Sequence, residues 1–241
     1  MTPIPTLAPG DFEKIRGLDT CTVSNAIECF NVRLRNEGFI HGNIRCMFPH
    51  LPPMLGYAVT ARIRTSAPPM AGLMYYDRMD WWNYLTTIPA PRIMVLQDAD
   101  RSPGVGACMG EIHAQIALAL DCVGCITNGV VRDLPAVREA GFHLFAAGVV
   151  VSHSYAHIAD FGEPVEIDGL KISPGDLLHG DLHGIHTVPV SIAPEIPRMA
   201  SNILARERAL IDFCRSSSFS LDKLVHAIGR CISEKSSDKT L

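Results

Sequence analysis

An arginine and an aspartate stand side by side after an apolar segment, in the stretch CITNGVVRDLPAVREAGFHLFA (125–146). Arg132 carries a permanent positive charge on a planar group that suits a carboxylate. Asp133 supplies the hard oxygen ligands that Mg²⁺ or Mn²⁺ prefers. The pair therefore predicts a site for an anion and a divalent metal. The alternative is structural: Asp133 caps the following helix and forms a surface ion pair with Arg132.

A second candidate for ligand binding is the glycine-rich stretch DRSPGVGACMG (100–110), which leads into Glu111, Ile112 and His113. Unpaired N–H groups and the positive dipole end at the start of a helix favour a carboxylate or phosphate. Gly110 and the three residues after it are therefore predicted to bind an anion. A dinucleotide is less favoured, because the glycine spacing misses that fingerprint by one residue and the next strand ends in Asn128 rather than an acid.

Glu111 precedes Arg132 by 21 positions. If the intervening helix and strand pack side by side, Glu111 returns to the neighbourhood of Arg132 and Asp133. No lysine lies near either motif, so Schiff-base chemistry is not supported. The proton acceptor is not identifiable, and we expect a metal-activated water positioned by Glu111 or by a neighbouring subunit.

Other metal-ligating residue types have less favourable contexts. Five histidines have spacings that could bind zinc: His153, His157, His179, His183 and His186. Residues 179–186 are predicted to form turns and strands, where this spacing need not place side chains on one face. Cys122 and Cys125 form a C-x-x-C without a second pair, so we interpret them as reduced core thiols.

The composition excludes several classes of protein. The chain has 241 residues, 47% of them hydrophobic and 19% charged, and its net charge is -4. Nucleic-acid binding is not expected, because such a surface would show a basic patch. The first residues lack the pattern of a signal peptide, and no apolar run reaches the roughly 18 residues that span a bilayer. We therefore expect a cytoplasmic protein.

Hydrophobic periodicity predicts the elements that must position the two loops. The predicted helices are 20–29 with Thr20 as N-cap, 70–89, 107–121 with Cys108, Ile112, Ile116 and Leu120 on its apolar face, 134–140, and two helices within 192–232. The predicted strands are 57–65, 92–98, 123–131, 143–147 and several short ones after 163. This order predicts one α/β domain over 1–241. Ligands in such folds gather at the carboxyl ends of strands, which here are the loops after 98 and 126.

An aromatic segment, MYYDRMDWW (74–82), has two interpretations. Its large side chains are of types enriched at subunit interfaces: Met74, Tyr75, Tyr76, Trp81 and Trp82. The alternative is that they form the core face of one helix.

Two stretches of the sequence resemble the RraA-like family: GEIHAQIALALDCVGCITNGVVRDLPAVREAGFHLFAAG (110–148) and DGLKISPGDLLHGDLHGIHTVP (168–189). That family contains regulator of ribonuclease activity A and the class II 4-hydroxy-4-methyl-2-oxoglutarate aldolases. With LDTCTVSNAIE and GYAVTARIRT upstream, the resemblance covers about 18–190. It implies a swivelling β/β/α fold with a mixed central sheet. It also implies a homotrimer or a dimer of trimers, with sites at subunit boundaries.

The resemblance also implies roles for the motif residues. In the aldolases, the backbone matching 110–113 holds the substrate carboxylate, the residue matching Arg132 binds substrate, and the one matching Asp133 holds the divalent metal. Arg132 and Glu111 are therefore the expected catalytic residues. The chain departs from the aldolases at Glu111, where Asp is common, and at Ala136, where an acid is frequent. The second departure leaves the particular aldol substrate open. Asn25 and Asn128 also stand where relatives often have Asp.

These features predict a metal-dependent lyase that acts on a short 2-oxo acid, as an aldolase, an oxaloacetate decarboxylase or both. The substrate would bind the metal through its carboxylate and keto oxygens while Arg132 offsets its charge. Cleavage would leave a pyruvate enolate, stabilised by the metal as Lewis acid. The alternative is a non-catalytic, protein-binding regulator. The presence of Glu111, Arg132 and Asp133 together favours the enzyme.

Overall fold

The computed structural model describes residues 3–69 and 78–237, and it consists of helices packed on a large mixed sheet. The helices are α1 (Pro9–Arg16), α2 (Thr20–Glu28), α3 (Met79–Thr86), α4 (Glu111–Ala119), α5 (Leu134–Glu139), α6 (Ile196–Arg215) and α7 (Leu221–Ser237). The first seven strands are β1 (Arg45–Cys46), β2 (Met54–Arg64), β3 (Arg92–Asp98), β4 (Ala107–Met109), β5 (Cys122–Thr127), β6 (Val130–Val131) and β7 (His143–Ala146). The others are β8 (Gly148–Val149), β9 (His157–Phe161), β10 (Val165–Ile167), β11 (Leu170–Ile172), β12 (Leu177–Asp181) and β13 (Gly184–Thr187).

The main sheet has the order β1-β7-β5-β3-β2-β12-β13, and β9 also pairs with β2. Its central strands β2, β3, β5 and β7 are parallel, so their carboxyl ends meet at one edge. Side chains of β2 alternate between two apolar clusters, Leu55 and Tyr57 in one and Met54 and Ala58 in the other. Helices complete the first cluster and the β10–β11 hairpin covers the second. The layers are therefore helices, sheet and hairpin.

The helix predicted at 107–121 is correct only from Glu111 to Ala119. Residues 107–109 form β4, which joins β6 and β8 in a separate parallel sheet of three strands. The predicted apolar face is correct in part, because Ile116 and Leu120 pack against the core together with the buried Ala114 and Ala117. Ile112 does not belong to that face, since it is 61% exposed, and Cys108 is buried in β4 rather than in the helix.

Two further predictions need correction. The strand predicted at 123–131 ends at Thr127, and Val130 and Val131 pair in the small sheet instead. The N-cap of α2 is Asp19 rather than Thr20, because the Asp19 carboxylate accepts the N–H of Thr22 at 2.8 Å.

The described part of the aromatic segment places its two tryptophans in the core, while Met79 is 63% exposed. Trp81 and Trp82 are buried in α3, so they line no exposed interface and the core interpretation holds for them. Met74, Tyr75 and Tyr76 lie outside the described residues, as does the beginning of the helix predicted at 70–89.

The C-x-x-C pair lies inside the protein. Cys122 and Cys125 are buried and free of disulfides, as predicted for core thiols. Burial raises the pKa of Cys122 to about 12, so its thiol stays protonated and unreactive. Within the described ranges, no helix is long and apolar enough to cross a membrane.

Candidate active site

The small sheet brings the two predicted loops together. Strands β4 and β6 run parallel, with Met109 opposite Val131, and the N–H of Arg132 donates to the Met109 carbonyl at 3.0 Å. The residues that follow the two strands, Gly110 and Glu111 on one side and Arg132 and Asp133 on the other, therefore lie next to each other. The structure thus assembles the set that the sequence predicted.

The carboxylate of Asp133 points across to the other loop. Its Oδ2 atom accepts the backbone N–H of Glu111 at 3.1 Å and lies 3.3 Å from Nε of Arg132. Asp133 occupies the N-cap position of α5, yet its side chain makes no capping hydrogen bond there. The capping interpretation of Asp133 is therefore wrong, although the ion pair with Arg132 exists.

The backbone of Asp133 is in the left-handed region, at φ 57°. This conformation costs an ordinary L-residue roughly 1–2 kcal/mol, and aspartate and asparagine tolerate it best after glycine. Such strain is concentrated at functional sites, where the surrounding structure holds it in place. Here it turns the carboxylate towards α4 and away from the helix that Asp133 precedes.

Gly110 leaves room for this carboxylate. A Cβ atom at position 110 would lie 2.5 Å from Oδ2 of Asp133 and 3.2 Å from Nε of Arg132. No side chain fits that space unless Asp133 moves. The glycine is therefore required by the close approach of the two loops.

We expect Gly110→Ala to reduce activity at this site by about tenfold to a hundredfold, because a 1 Å shift of positioned groups has effects of this order. The measurement is kcat/KM for the lyase reaction that the sequence predicts, with the melting temperature as a check on folding. Gly10→Ala is a matched control, since a Cβ there would meet nothing within 4 Å. Equal kcat/KM in the Gly110 variant and the native protein would show that Asp133 need not approach this closely.

The remaining predicted residues border the pair. Arg132 and Asp133 have side chains that are 35% and 39% exposed, and Glu111 and Ile112 are exposed in the first turn of α4. His113 is more deeply placed. Burial, together with the charge of Arg132, lowers the pKa of His113 to about 4, so its imidazole is neutral. The site is thus an open surface with one cation, two carboxylates and a neutral imidazole.

Asn128 holds the ends of two neighbouring strands together. Its Oδ1 accepts the N–H of Asp98 at 2.7 Å, and its Nδ2 donates to the Asp98 carbonyl at 3.0 Å. Asp98 in turn accepts the N–H of Gly104 at 2.8 Å and so shapes the glycine-rich loop. An aspartate at 128 could not donate the second bond. The sequence alone did not reveal this positioning role of Asn128.

The histidines do not form the zinc site that their spacing allowed. Nδ1 of His179 and Nε2 of His186 lie 3.2 Å apart on paired strands, and burial lowers the pKa of both residues. Among the described residues, no group of three or more His, Cys, Asp or Glu side chains could hold a metal ion. A site built on Asp133 suits Mg²⁺ nevertheless, because this ion commonly binds one or two carboxylates and keeps water or substrate as its other ligands.

Comparison with known proteins identifies the family. A family model described as "RraA-like: Aldolase/RraA" matches residues 20–186. The chain belongs to the RraA-like family. The match contains both loops of the candidate site, the β10–β11 hairpin and most of the main sheet.

One relative is a protein of Halalkalibacterium halodurans provisionally named 4-hydroxy-4-methyl-2-oxoglutarate aldolase. It is 27% identical over 125 residues, which are 50% of this chain and 60% of that protein. The match thus spans less than two thirds of the relative. An uncharacterised protein of Methanocaldococcus jannaschii is 27% identical over 134 residues, 54% of this chain and 64% of that protein.

Solved structures show the same fold. An uncharacterised protein from Pseudomonas syringae superposes with a TM-score of 0.72 at 24% identity, covering 95% of this chain and 98% of that one. Streptomyces coelicolor RraAS2, described as an unusual member of the RNase ES inhibitor RraA family, has a TM-score of 0.66 at 20% identity. That match covers 86% of this chain and 98% of that one. The prediction of an RraA-like α/β fold with a mixed sheet is confirmed.

Proposed function

We propose that this RraA-like protein is a divalent-metal-dependent lyase that cleaves a short 2-oxo acid to pyruvate. Its substrate would be 4-hydroxy-4-methyl-2-oxoglutarate, oxaloacetate or both. The observation that carries the proposal is the orientation of Asp133. Its carboxylate leaves the helix it could cap and lies between Arg132 and the start of α4, in a strained backbone conformation.

The chain supplies several groups for a 2-oxo acid. The N–H of Ile112, in the first turn of α4, is a helix-start donor that suits a substrate carboxylate. The guanidinium of Arg132 offers a planar pair of donors to the same anion. The neutral imidazole of His113 adds polarity without a second positive charge. Glu111 is exposed beside them and suits the positioning of a water molecule as proton acceptor.

Asp133 is the residue that would hold Mg²⁺ or Mn²⁺, with Glu111 acting through water. The metal, when bound, supplies a Lewis acid for the oxyanion that develops on the keto oxygen. The chain's own residues bind and orient the substrate beside it. Ala136 lies in α5 where aldolases often have an acid, so decarboxylation, which needs no proton removed from a substrate hydroxyl, is the simpler of the two reactions here.

The direct test is an assay of pyruvate release from oxaloacetate and from 4-hydroxy-4-methyl-2-oxoglutarate. We expect turnover with added Mg²⁺ or Mn²⁺ and its loss with a chelator. The spontaneous decarboxylation of oxaloacetate by the same metal, without protein, is the blank. Absence of metal-dependent turnover with both substrates would contradict the proposed function and favour the non-catalytic regulator.

Arg132→Lys is expected to lower kcat/KM by about tenfold or more, because a point charge cannot reproduce two parallel donors to a carboxylate. The KM for the 2-oxo acid should rise with it. Arg138→Lys, on the exposed side of α5, is the matched control. If the Arg132 variant has the native kcat/KM, the arginine is structural only.

We also propose that the protein assembles as a homotrimer or a dimer of trimers, with the site near a subunit boundary. Exposed apolar side chains border the small sheet that carries the site: Val105, Val149 and Val151, the last of them 91% exposed. Apolar groups that cluster on a surface mark interaction sites more often than scattered ones do. The two carboxylates of one chain also leave coordination positions that a neighbour could fill.

Val151→Asp should therefore dissociate the assembly, since a charge at an interface core is unfavourable. Light scattering during size-exclusion chromatography measures the mass. We expect a trimer or hexamer for the native protein and smaller species for the variant. A native monomer that keeps full lyase activity on dilution would contradict the shared site.

A further inference from the structure

A cleft of about 360 Å³ lies between α2, residues 35–40 and the β12–β13 hairpin. Its volume is within the range of small-molecule sites. None of the described residues that line this cleft belongs to the candidate active site at 110–113 and 132–133. The cleft is therefore separate from the candidate active site.

One wall of the cleft carries a histidine held by a buried carboxylate. Nδ1 of His183 lies 3.2 Å from Oδ1 of Asp181, whose side chain is only 6% exposed, while His183 is half exposed. The Asp181 carboxylate also accepts the N–H and hydroxyl of Thr20, at 2.8 and 2.6 Å, and the N–H of His183 at 2.8 Å. These bonds fix the carboxylate. Because a carboxylate can only accept, Nδ1 of His183 donates to it, and Nε2 is the ring nitrogen not engaged by Asp181.

The opposite wall is one face of α2. Cys21, Ser24, Asn25 and Glu28 line the cleft at spacings of three and four residues, which place them on the same side of a helix. They present a thiol, a hydroxyl, an amide and a carboxylate. Phe39 and Ile185 add an apolar surface between the two walls.

The charges of the cleft are already paired. Oε2 of Glu28 lies 3.4 Å from Nε of Arg35, and Asp181 is saturated by the donors described above. Among the described residues of the cleft, a charged ligand would therefore find no unpaired counter-ion. The groups that remain, on Ser24, Asn25 and His183, match ligand hydroxyls, which both donate and accept.

From these contacts we infer that the cleft is a second ligand site, for an uncharged polyhydroxylated molecule of monosaccharide size. His183, oriented by Asp181, and Asn25 hold hydroxyl groups of the ligand, while Phe39 packs against its C–H face.

The probes are D-glucose and D-galactose, with D-glucosamine and D-gluconate as their cationic and anionic counterparts. The readout is the histidine ring signals of the isotope-labelled full chain, with the His183 signal assigned from His183→Asn. We expect a saturable shift of this signal with at least one neutral sugar, and weaker shifts with the charged ones. Asn25→Ala should weaken binding by about tenfold, the usual effect of one lost hydrogen bond.

Two controls keep this site distinct from the lyase site. Arg132→Lys should leave sugar binding unchanged, and His183→Asn should leave pyruvate release unchanged. The inference is overturned if neither neutral sugar gives a saturable shift, if the charged sugars bind more tightly, or if folded Asn25→Ala binds as the native protein does.

Discussion

Replacement of Asp133 by asparagine is expected to lower metal-dependent kcat/KM by about a hundredfold or more and to leave the fold intact. Asparagine keeps an acceptor for the N–H of Glu111 and tolerates the left-handed backbone at position 133. It removes the charge that would hold the metal, whose contribution to the oxyanion is several kcal/mol, and about 2.7 kcal/mol corresponds to a hundredfold. The measurements are pyruvate release over a Mg²⁺ titration and the melting temperature.

Asp121→Asn is the matched control for this variant, because Asp121 is also left-handed, at φ 54°, and its side chain is 76% exposed. It should keep native activity. Asp133→Ala should lose activity as well but also some stability, since alanine bears the full cost of the left-handed conformation. Native turnover in Asp133→Asn at every Mg²⁺ concentration would remove Asp133 from the proposed metal site.

Acid is expected to destabilise the protein steeply, because three histidines are buried and neutral: His143, His179 and His186. Burial lowers the pKa of His143 and of His179 to about 4, and it also lowers the pKa of His186 well below its usual value. In the unfolded chain these side chains have a pKa near 6.5. Between about pH 6.5 and pH 4 the unfolded state therefore binds protons that the folded state does not, and the free energy of unfolding falls as the pH falls.

Each histidine contributes up to about 1.4 kcal/mol per pH unit in that window. His113, whose pKa is also lowered to about 4, adds to the three, so the four together give a slope of about 5 to 6 kcal/mol per unit at its steepest. Urea unfolding at pH 7, 6 and 5 measures this slope. His143→Gln should flatten it by about a quarter, whereas His226→Gln, at an exposed position of α7, should not change it. An unchanged urea midpoint between pH 7 and pH 5 would show that the buried histidines are protonated in the folded protein.

The pairing of the two site loops was predictable because it follows from one regular unit. Glu111 and Arg132 are separated by helix α4 and strands β5 and β6, and this unit returns the chain beside β4, with which β6 runs parallel. The motifs at its two ends therefore had to meet. Strands β2 and β3 and helix α5 were also predictable, because hydrophobic periodicity or flanking prolines and glycines mark where these elements lie.

The small sheet was not predictable, because β6 and β8 have two residues each and β4 has three, too few to show any periodicity. Its strands exist only through pairing with one another. The left-handed backbone of Asp133 was equally hidden, since it depends on contacts with Gly110 and Glu111 from a distant part of the chain. A sequence that does not show this backbone conformation suggests instead that Asp133 caps α5.

The two hydrogen bonds between Asn128 and Asp98 also affect how fast the purified protein is chemically modified during storage. Asn-Gly sequences are the most prone to spontaneous deamidation, in which the glycine nitrogen attacks the asparagine side chain. Here Oδ1 and Nδ2 of Asn128 are bound to Asp98, and the N–H of Gly129 donates to Oγ1 of Thr127 at 2.9 Å. Ring closure must break these bonds, so chemical ageing at this position is slow while the protein stays folded and fast once it unfolds.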